Sequence, residues 1–128
     1  MQLHVPVSVG EVLDKITILQ IKLAHISDAE KRVNLQNELN ALLPLVAGDS
    51  FTTGQMQTLI AELKSVNEAL WEIEDDIREQ EAEKTFGEEF IRLARAVYVT
   101  NDKRAAIKKQ INLATGSALI EEKSYESY

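Results

Sequence analysis

The residues best suited to chemistry form a basic run between positions 92 and 108. Arginine binds carboxylates and phosphates through two parallel hydrogen bonds, and lysine adds positive charge. These residue types make the run a candidate site for a small anion, a nucleotide or a sugar-phosphate. Its candidate residues are Arg92, Arg95, Tyr98, Asn101, Asp102, Arg104 and Lys108. Three charged residues near the N-terminus can face the same site, namely Asp14, Lys15 and Lys22.

An acidic block precedes the basic run and offers a competing explanation. From Glu68 to Glu89 there are ten acidic residues against two basic ones, whereas from Arg92 to Lys109 there are six basic residues against Asp102 alone. If the two segments lie antiparallel on neighbouring helices, opposite charges pair between them, as at the flanking positions of coiled coils. We favour this neutralisation, which would leave the arginines without free donors for a ligand.

The acidic block also has a spacing that places carboxylates on one helical face. Intervals of three and four separate Glu68, Glu72, Asp75, Asp76, Glu79 and Glu83. Such pairs bind magnesium in helical nucleotide hydrolases, or iron where Glu-x-x-His occurs. The two histidines, His4 and His25, lie far from the block, and the second helical cluster is basic rather than acidic. We favour a solvated or salt-bridged face, and we predict no metal site and no cofactor.

Other catalytic patterns do not occur in the sequence. The five glycines are scattered singly rather than grouped in a phosphate-binding loop, and two histidines in these positions do not support a Ser/His/Asp arrangement. We therefore predict no catalytic residue and favour a protein without enzymatic activity. A net charge of −7 also argues against a nucleic-acid partner.

Apolar residues at alternating intervals of three and four predict that helices position these groups. A first helix is expected from about Ser8 to Ile26, since Ser8 and Glu11 form a capping box. Ser27 and Glu30 have the same spacing and predict the start of a second helix, which Pro44 bends or ends.

The second half of the chain predicts a long helical hairpin, residues 54–84 with residues 86–114. Thr100, Asn101 and Asp102 can cap a new helix or lie within one bent helix, so the fold is an all-α antiparallel bundle of four or five helices. Residues 117–128 lack periodicity and are expected to be irregular, either a docked strap or disordered.

Two isoleucines of the first helix lie off its main apolar stripe. Ile18 falls among polar residues, and Ile21 lies opposite the stripe. Either several helices of the same chain surround this helix, or a second subunit covers the additional face. Ile18 and Ile21 are therefore candidate interface residues, and a homo-oligomer, with a dimer favoured, is the predicted partner state.

The composition sets the broad class. A chain of 128 residues with 45% hydrophobic content suits one domain, residues 1–128, with a core of its own. It has no cysteine and no apolar run of the length that a membrane helix requires. A cytoplasmic protein without membrane association is expected.

Three stretches carry a resemblance to a known family: residues 7–22, beginning Val-Ser-Val-Gly-Glu-Val-Leu-Asp-Lys; residues 90–108, which include Tyr-Val-Thr-Asn-Asp-Lys-Arg; and Glu-Glu-Lys-Ser-Tyr at 121–125. In these the chain resembles a family of short bacterial proteins that is classified only as a domain of unknown function. The resemblance spans nearly the whole chain and implies one intact domain. It implies no activity and no catalytic residue.

Two functional classes follow from these patterns. We favour a non-enzymatic interaction or scaffold protein that acts as a homo-oligomer, because the strongest patterns in the sequence are packing patterns. The alternative is a protein or enzyme that binds a small anionic ligand at the residues of the basic run.

Overall fold

The structure, a computed structural model, describes all 128 residues and contains four α-helices and no strand. Two short 3-10 helices, Leu43–Val46 and Asp49–Phe51, connect the second helix to the third. The prediction of an all-helical chain is confirmed. The helices are α1 (Val9–His25), α2 (Ala29–Leu42), α3 (Gly54–Ala82) and α4 (Glu88–Thr115).

The first two helices begin at side-chain caps. Ser8 caps α1 as predicted, because its hydroxyl accepts a hydrogen bond from the backbone N–H of Glu11 at 3.2 Å. The predicted cap of α2 is wrong by one residue: Asp28, not Ser27, accepts from the backbone N–H of Lys31 at 2.9 Å. A carboxylate is as good a cap as a hydroxyl, so the residue nearer the helix takes the position.

α4 is one continuous helix, which decides between the two alternatives for residues 86–114. Thr100, Asn101 and Asp102 lie inside it, and Gly116 ends it in the left-handed conformation with φ of +63°. With 29 and 28 residues, α3 and α4 are each about 43 Å long at 1.5 Å per residue. They contact each other more extensively than any other two helices do.

α1 lies at the centre of the fold and contacts each of the other three helices. Leu13 packs with residues of α3 and α4, including Leu63 and Ile111, which are fully buried. Val12, Ile16 and Leu19 pack with Leu39 of α2. Because α1 contributes to both clusters, it needs apolar residues on more than one side.

The buried core ends well before α3 does. Its buried residues are Met56, Leu59, Leu63 and Asn67. Between residues 70 and 100 only Leu93 is buried. We call residues 70–100 the distal segment.

The last twelve residues form no helix, yet they lie against α4. Glu121 accepts a hydrogen bond from Lys108 at 3.2 Å, and Glu122 accepts from Lys109 at 3.3 Å. The hydroxyl of Tyr128 donates to the carboxylate of Asp102. Residues 117–128 are therefore a docked strap. None of the helices has the length and hydropathy of a membrane-spanning segment.

Candidate functional site

Asp14 is the centre of the most extensive polar cluster in the fold. Its side chain is only 1% exposed, and it lies on α1 where that helix contacts both α3 and α4. Asp14 has this position because the helical repeat places it beside Leu13 and one turn before Thr17 and Ile18, on a face that other helices cover. A carboxylate at such a place requires partners for both of its oxygens.

Arg104 of α4 binds this carboxylate through two hydrogen bonds. Its Nε donates to Asp14 Oδ1 at 2.9 Å, and its Nη2 donates to Oδ2. This parallel arrangement is the strongest geometry available to an arginine and a carboxylate. The amide of Asn67 on α3 also donates to Oδ1 at 2.9 Å and to the Thr17 hydroxyl at 3.0 Å.

Lys108, one turn after Arg104, extends the cluster toward the strap. Its Nζ lies 2.7 Å from Glu11 Oε2, 3.2 Å from Glu121 Oε2 and 3.9 Å from Asp14 Oδ2. α1, α3, α4 and the strap thus meet in one network, the Asp14 cluster. It consists of Glu11, Asp14, Thr17, Asn67, Arg104, Lys108 and Glu121.

Burial and the partners act in opposite directions on the pKa values of this cluster. Burial raises the pKa of Asp14, but hydrogen bonds from Arg104 and Asn67, together with two positive charges, lower it below its ordinary value of 3.8. Burial lowers the pKa of Lys108, but Glu11, Asp14 and Glu121 raise it above 10.5. Both groups are therefore charged at neutral pH. No buried side-chain nitrogen or oxygen in the fold lacks a hydrogen-bond partner.

An open groove of about 440 Å³ borders the Asp14 cluster. Its apolar lining comes from Ile18, Ile21, Leu70 and Trp71, and Asn67 and Arg104 lie at its polar side. Glu74, Asp75 and Arg78 complete the rim. We call it the apolar groove. Trp71 stacks on His25, with ring centroids 4.9 Å apart.

The two candidate interface residues differ in accessibility. Ile21 is 3% exposed within the single chain, which agrees with a central α1. Ile18 is half-buried and lines the apolar groove. Of the two, Ile18 is the residue that a second molecule can reach.

The ten predicted ligand-binding residues do not form one site. Asp14, Arg104 and Lys108 meet in the Asp14 cluster. Arg92 and Arg95 lie on the exposed surface of the distal segment, where Arg92 pairs with Glu89 at 2.6 Å. Lys15 pairs with Glu38 of α2 at 3.4 Å, and Lys22 has no ion-pair partner.

The predicted neutralisation of the basic run by the acidic block is not made by ion pairs between α3 and α4. Arg78 and Lys84 pair with Glu74 and Glu81, and Arg92 pairs with Glu89 of its own helix. Lys108 of the basic run instead meets acids of α1 and the strap, namely Glu11 and Glu121. Arg104 instead uses its donors on α1.

Tyr98, Asn101 and Asp102 lie in a second groove of about 560 Å³ between α4 and the strap. Val97, Lys123, Tyr125, Glu126 and Tyr128 form the rest of its lining. The rings of Tyr98 and Tyr128 meet edge to face, with centroids 5.2 Å apart. We call it the tyrosine groove.

Sequence patterns missed several of the buried polar residues that join the helices. Asn67 and Thr17 lie within the apolar stretches of their helices, and Asn112, 2% exposed, accepts from the backbone N–H of Gly10 at 2.7 Å. A small polar residue inside an otherwise apolar helical face was the one available signal. It does not reveal which helix supplies the partner.

No group of three or more His, Cys, Asp or Glu side chains has an arrangement that could hold a metal ion. The fold and its clusters thus define an all-helical protein whose central helix is joined to α4 by buried ion pairs and to α3 by a buried hydrogen bond. The chain belongs to DUF6165, a family of unknown function, whose match covers residues 3–128. The predicted resemblance to a family without an assigned activity is confirmed. No curated protein and no solved structure matches the chain.

Proposed function

We propose that the chain is a non-enzymatic interaction protein that acts as a homo-oligomer, most simply a dimer. α3 and α4 form a long antiparallel hairpin, and a second copy covers the α3 side of its distal segment together with the apolar groove. Ile18 of α1 lies at this interface, beside Leu70 and Trp71 of α3.

The proposal is supported most directly by an apolar stripe that continues beyond the buried core. Leu70, Ile73 and Ile77 follow Leu63 at helical spacing, yet none of the three is buried. In a chain that remained alone, polar residues would serve better at these positions. An apolar stripe of this kind is typical of a face that another helix covers.

The accessible surface supports the same conclusion. The chain exposes 8753 Å², whereas a compact monomer of its mass is expected to expose about 6,800 Å². The difference of about 1,900 Å² exceeds the roughly 800 Å² that each partner buries in a standard interface. An elongated chain of this kind has enough surface for a stable self-association.

The charged residues favour interaction over ligand chemistry. Arg104 and Lys108 both bind Asp14, so most polar groups of these three candidate residues already have partners within the chain. Arg92 is paired within its own helix turn. The Asp14 cluster therefore holds α1 against α3 and α4 and fixes the shape of the surface beside it.

Sedimentation equilibrium tests the proposal. The wild-type chain is expected to show twice its mass of 14.4 kDa. Ile18→Glu is expected to give a folded monomer, because a charge in the interface costs several kcal/mol when it is desolvated without a partner. Val33→Glu is the matched control, since Val33 is 58% exposed on α2 and away from the groove. A wild-type monomer, or a dimer that persists in Ile18→Glu, would contradict the proposal.

A second candidate function is binding of a small anion at the apolar groove. Arg104 lines this groove, and its bond to Asp14 uses Nε and Nη2, so Nη1 is not used by Asp14. A carboxylate or phosphate could bind there with its apolar part on Trp71.

A thermal-shift series with inorganic phosphate, nucleotides and nucleotide-sugars tests this candidate. A ligand at a hundredfold excess over its Kd stabilises the fold by roughly 2.7 kcal/mol. Arg104→Lys keeps a positive charge beside Asp14 but removes the second donor group, so it is expected to abolish the shift. Arg95→Lys is the control, since Arg95 lies outside the groove. An equal shift in Arg104→Lys would exclude this site.

A further inference from the structure

The tyrosines of the chain lie together. The sequence contains three, Tyr98, Tyr125 and Tyr128, and all three line the tyrosine groove. They come from two elements, α4 and the strap, so the groove exists only because the strap is docked. Each ring presents a negative π face, and these residues account for all the aromatic surface of the groove.

The charge of the groove is negative. Asp102 and Glu126 line it, and neither carboxylate forms an ion pair. Asp102 accepts a hydrogen bond from the Tyr128 hydroxyl, and this bond raises the pKa of that phenol, so its ring is neutral at physiological pH. Lys123 is the one basic residue of the lining and pairs with neither carboxylate.

We propose that the tyrosine groove binds a small organic cation, with its charged nitrogen against the tyrosine rings and beside Asp102 and Glu126. Aromatic faces and carboxylates both attract a cation, and rings favour an alkylated nitrogen because it is weakly hydrated. A groove of about 560 Å³ is within the size range of small-molecule sites. An anion would meet two unpaired carboxylates against one lysine.

The proposal differs from both functions considered above. It uses Tyr98 and Asp102, which sequence patterns assigned to an anion site, but it reverses the charge of the ligand. It also does not depend on self-association, because the interface proposed for the dimer is the apolar groove and the face of α3 that continues from it, whereas the tyrosine groove lies between α4 and the strap. Ile18→Glu is therefore expected to bind the cation as the wild-type chain does.

Choline is the probe, and its neutral isostere 3,3-dimethylbutan-1-ol is the control ligand. Proton NMR of the full chain reports the site directly, since every tyrosine ring lies in the groove. Choline is expected to shift these ring signals and to leave the indole N–H of Trp71, which lines the apolar groove, unchanged. The neutral isostere is expected to bind at least about threefold more weakly. Absence of a tyrosine shift, or equal binding of the two ligands, would overturn the proposal.

Three variants sharpen the test. Lys123→Ala is expected to tighten choline binding, because it removes the one positive charge of the lining; weaker binding would overturn the proposal. Tyr98→Ala is expected to weaken binding about three- to fivefold, whereas Tyr98→Phe, which keeps the ring, is expected to retain it. Circular dichroism of Tyr98→Ala checks that the helices persist. Equal loss in the alanine and phenylalanine variants would contradict a role for the ring face.

Discussion

At the scale of single residues, Asp14 explains how a charged cluster can be part of the core. Taking a carboxylate out of water costs several kcal/mol, and only close partners offset this cost. Arg104, Lys108 and Asn67 supply them from two other helices. The cluster therefore specifies how the three helices pack, because a shift of one helix would leave a buried charge without a partner.

Asp14→Asn is expected to destabilise the fold by about 2–3 kcal/mol. This substitution keeps the size of the side chain but leaves Arg104 and Lys108 without their shared anion; Arg104 is 29% exposed, so the loss lies at the lower end of values for buried pairs. Urea unfolding followed by circular dichroism measures it. Lys15→Ala is the control, since the Lys15–Glu38 pair is about half exposed on both sides and should change stability by less than about 0.5 kcal/mol. Equal effects of the two substitutions would contradict this role for Asp14.

The pKa directions in the cluster predict how stability depends on pH. The pKa of Asp14 is lowered in the folded chain, so its contribution is complete above its unfolded value of about 4 and is lost as the pH falls through the folded value. The pKa of Lys108 is raised, so its contribution is complete below about 10.4 and is lost as the pH rises through the folded value.

The free energy of unfolding should therefore decrease below about pH 4 and above about pH 10. Urea titrations across this range measure it. Asp14→Asn should mainly flatten the acid limb, and Lys108→Met should mainly flatten the alkaline limb. Each variant should have a smaller effect on the other limb, because each of the two charges shifts the pKa of the other group. An acid limb of unchanged slope in Asp14→Asn would show that other carboxylates cause it.

Part of the Asp14 cluster could be predicted from the sequence. Charge and helical spacing identified Asp14, Arg104 and Lys108 as candidate site residues, because charged side chains on a partly apolar helix are easily recognised in the sequence. Their role in joining the helices could not be predicted, since it depends on Asn67 and Glu121, which approach from other parts of the chain. Arg92 and Arg95 have the same residue type as Arg104, and only the three-dimensional position separates them.

At the scale of secondary-structure elements, the junction of α1 with α4 requires a glycine. The backbone N–H of Gly10 donates to Asn112 Oδ1 at 2.7 Å, and that of Val9 donates to the hydroxyl of Ser117 at 3.1 Å. With Ser8 bound to Glu11, the unpaired N–H groups at the start of α1 thus find partners on three different segments. Such close packing leaves no room for a side chain at position 10.

Gly10→Ala is expected to destabilise the fold by about 1–3 kcal/mol, as overpacking of a close contact does. The added Cβ would lie 2.7 Å from the backbone oxygen of Lys108, so α1 and α4 would have to separate. Thermal unfolding measures the effect. Gly54→Ala is the matched control: Gly54 also lies in the first turn of a helix, but nothing lies within 4 Å of its added Cβ. A Gly10→Ala variant as stable as Gly54→Ala would contradict the close contact between Gly10 and the backbone of α4.

Most of the helices could be predicted because periodic apolar spacing and capping residues are local signals. The continuity of α4 through Thr100, Asn101 and Asp102 could not be predicted, because three good capping residues in a row are compatible with either a helix break or an exposed helical face. Packing decided the outcome: Leu93 and Ile111 are both buried, and both belong to the same continuous helix. The docking of the strap could not be predicted either, because the strap has no periodicity. It depends on charged pairs such as Lys109 with Glu122, and no local sequence pattern indicates which charges will pair.

At the scale of the whole molecule, the chain has two parts with different packing. Nearly all of the buried residues lie in α1, in the N-terminal half of α3 and in the C-terminal half of α4, with Leu39 of α2. In the distal segment Leu93 is the one buried residue, and Ile73 and Ile77 are only half-buried. Local opening costs little where few apolar contacts must be broken, so the two parts should differ in local stability.

Hydrogen exchange measured at several protein concentrations tests both this difference and the proposed dimer. The backbone amides of α1 should be protected equally at every concentration, since their contacts lie within one chain. Those of α3 after Trp71 should exchange quickly in dilute samples and become protected as the concentration rises, because a partner would cover the stripe of Ile73 and Ile77. In Ile18→Glu this protection should not appear at any of these concentrations. Protection of the distal segment that is high and independent of concentration would show that the single chain stabilises this segment without a partner.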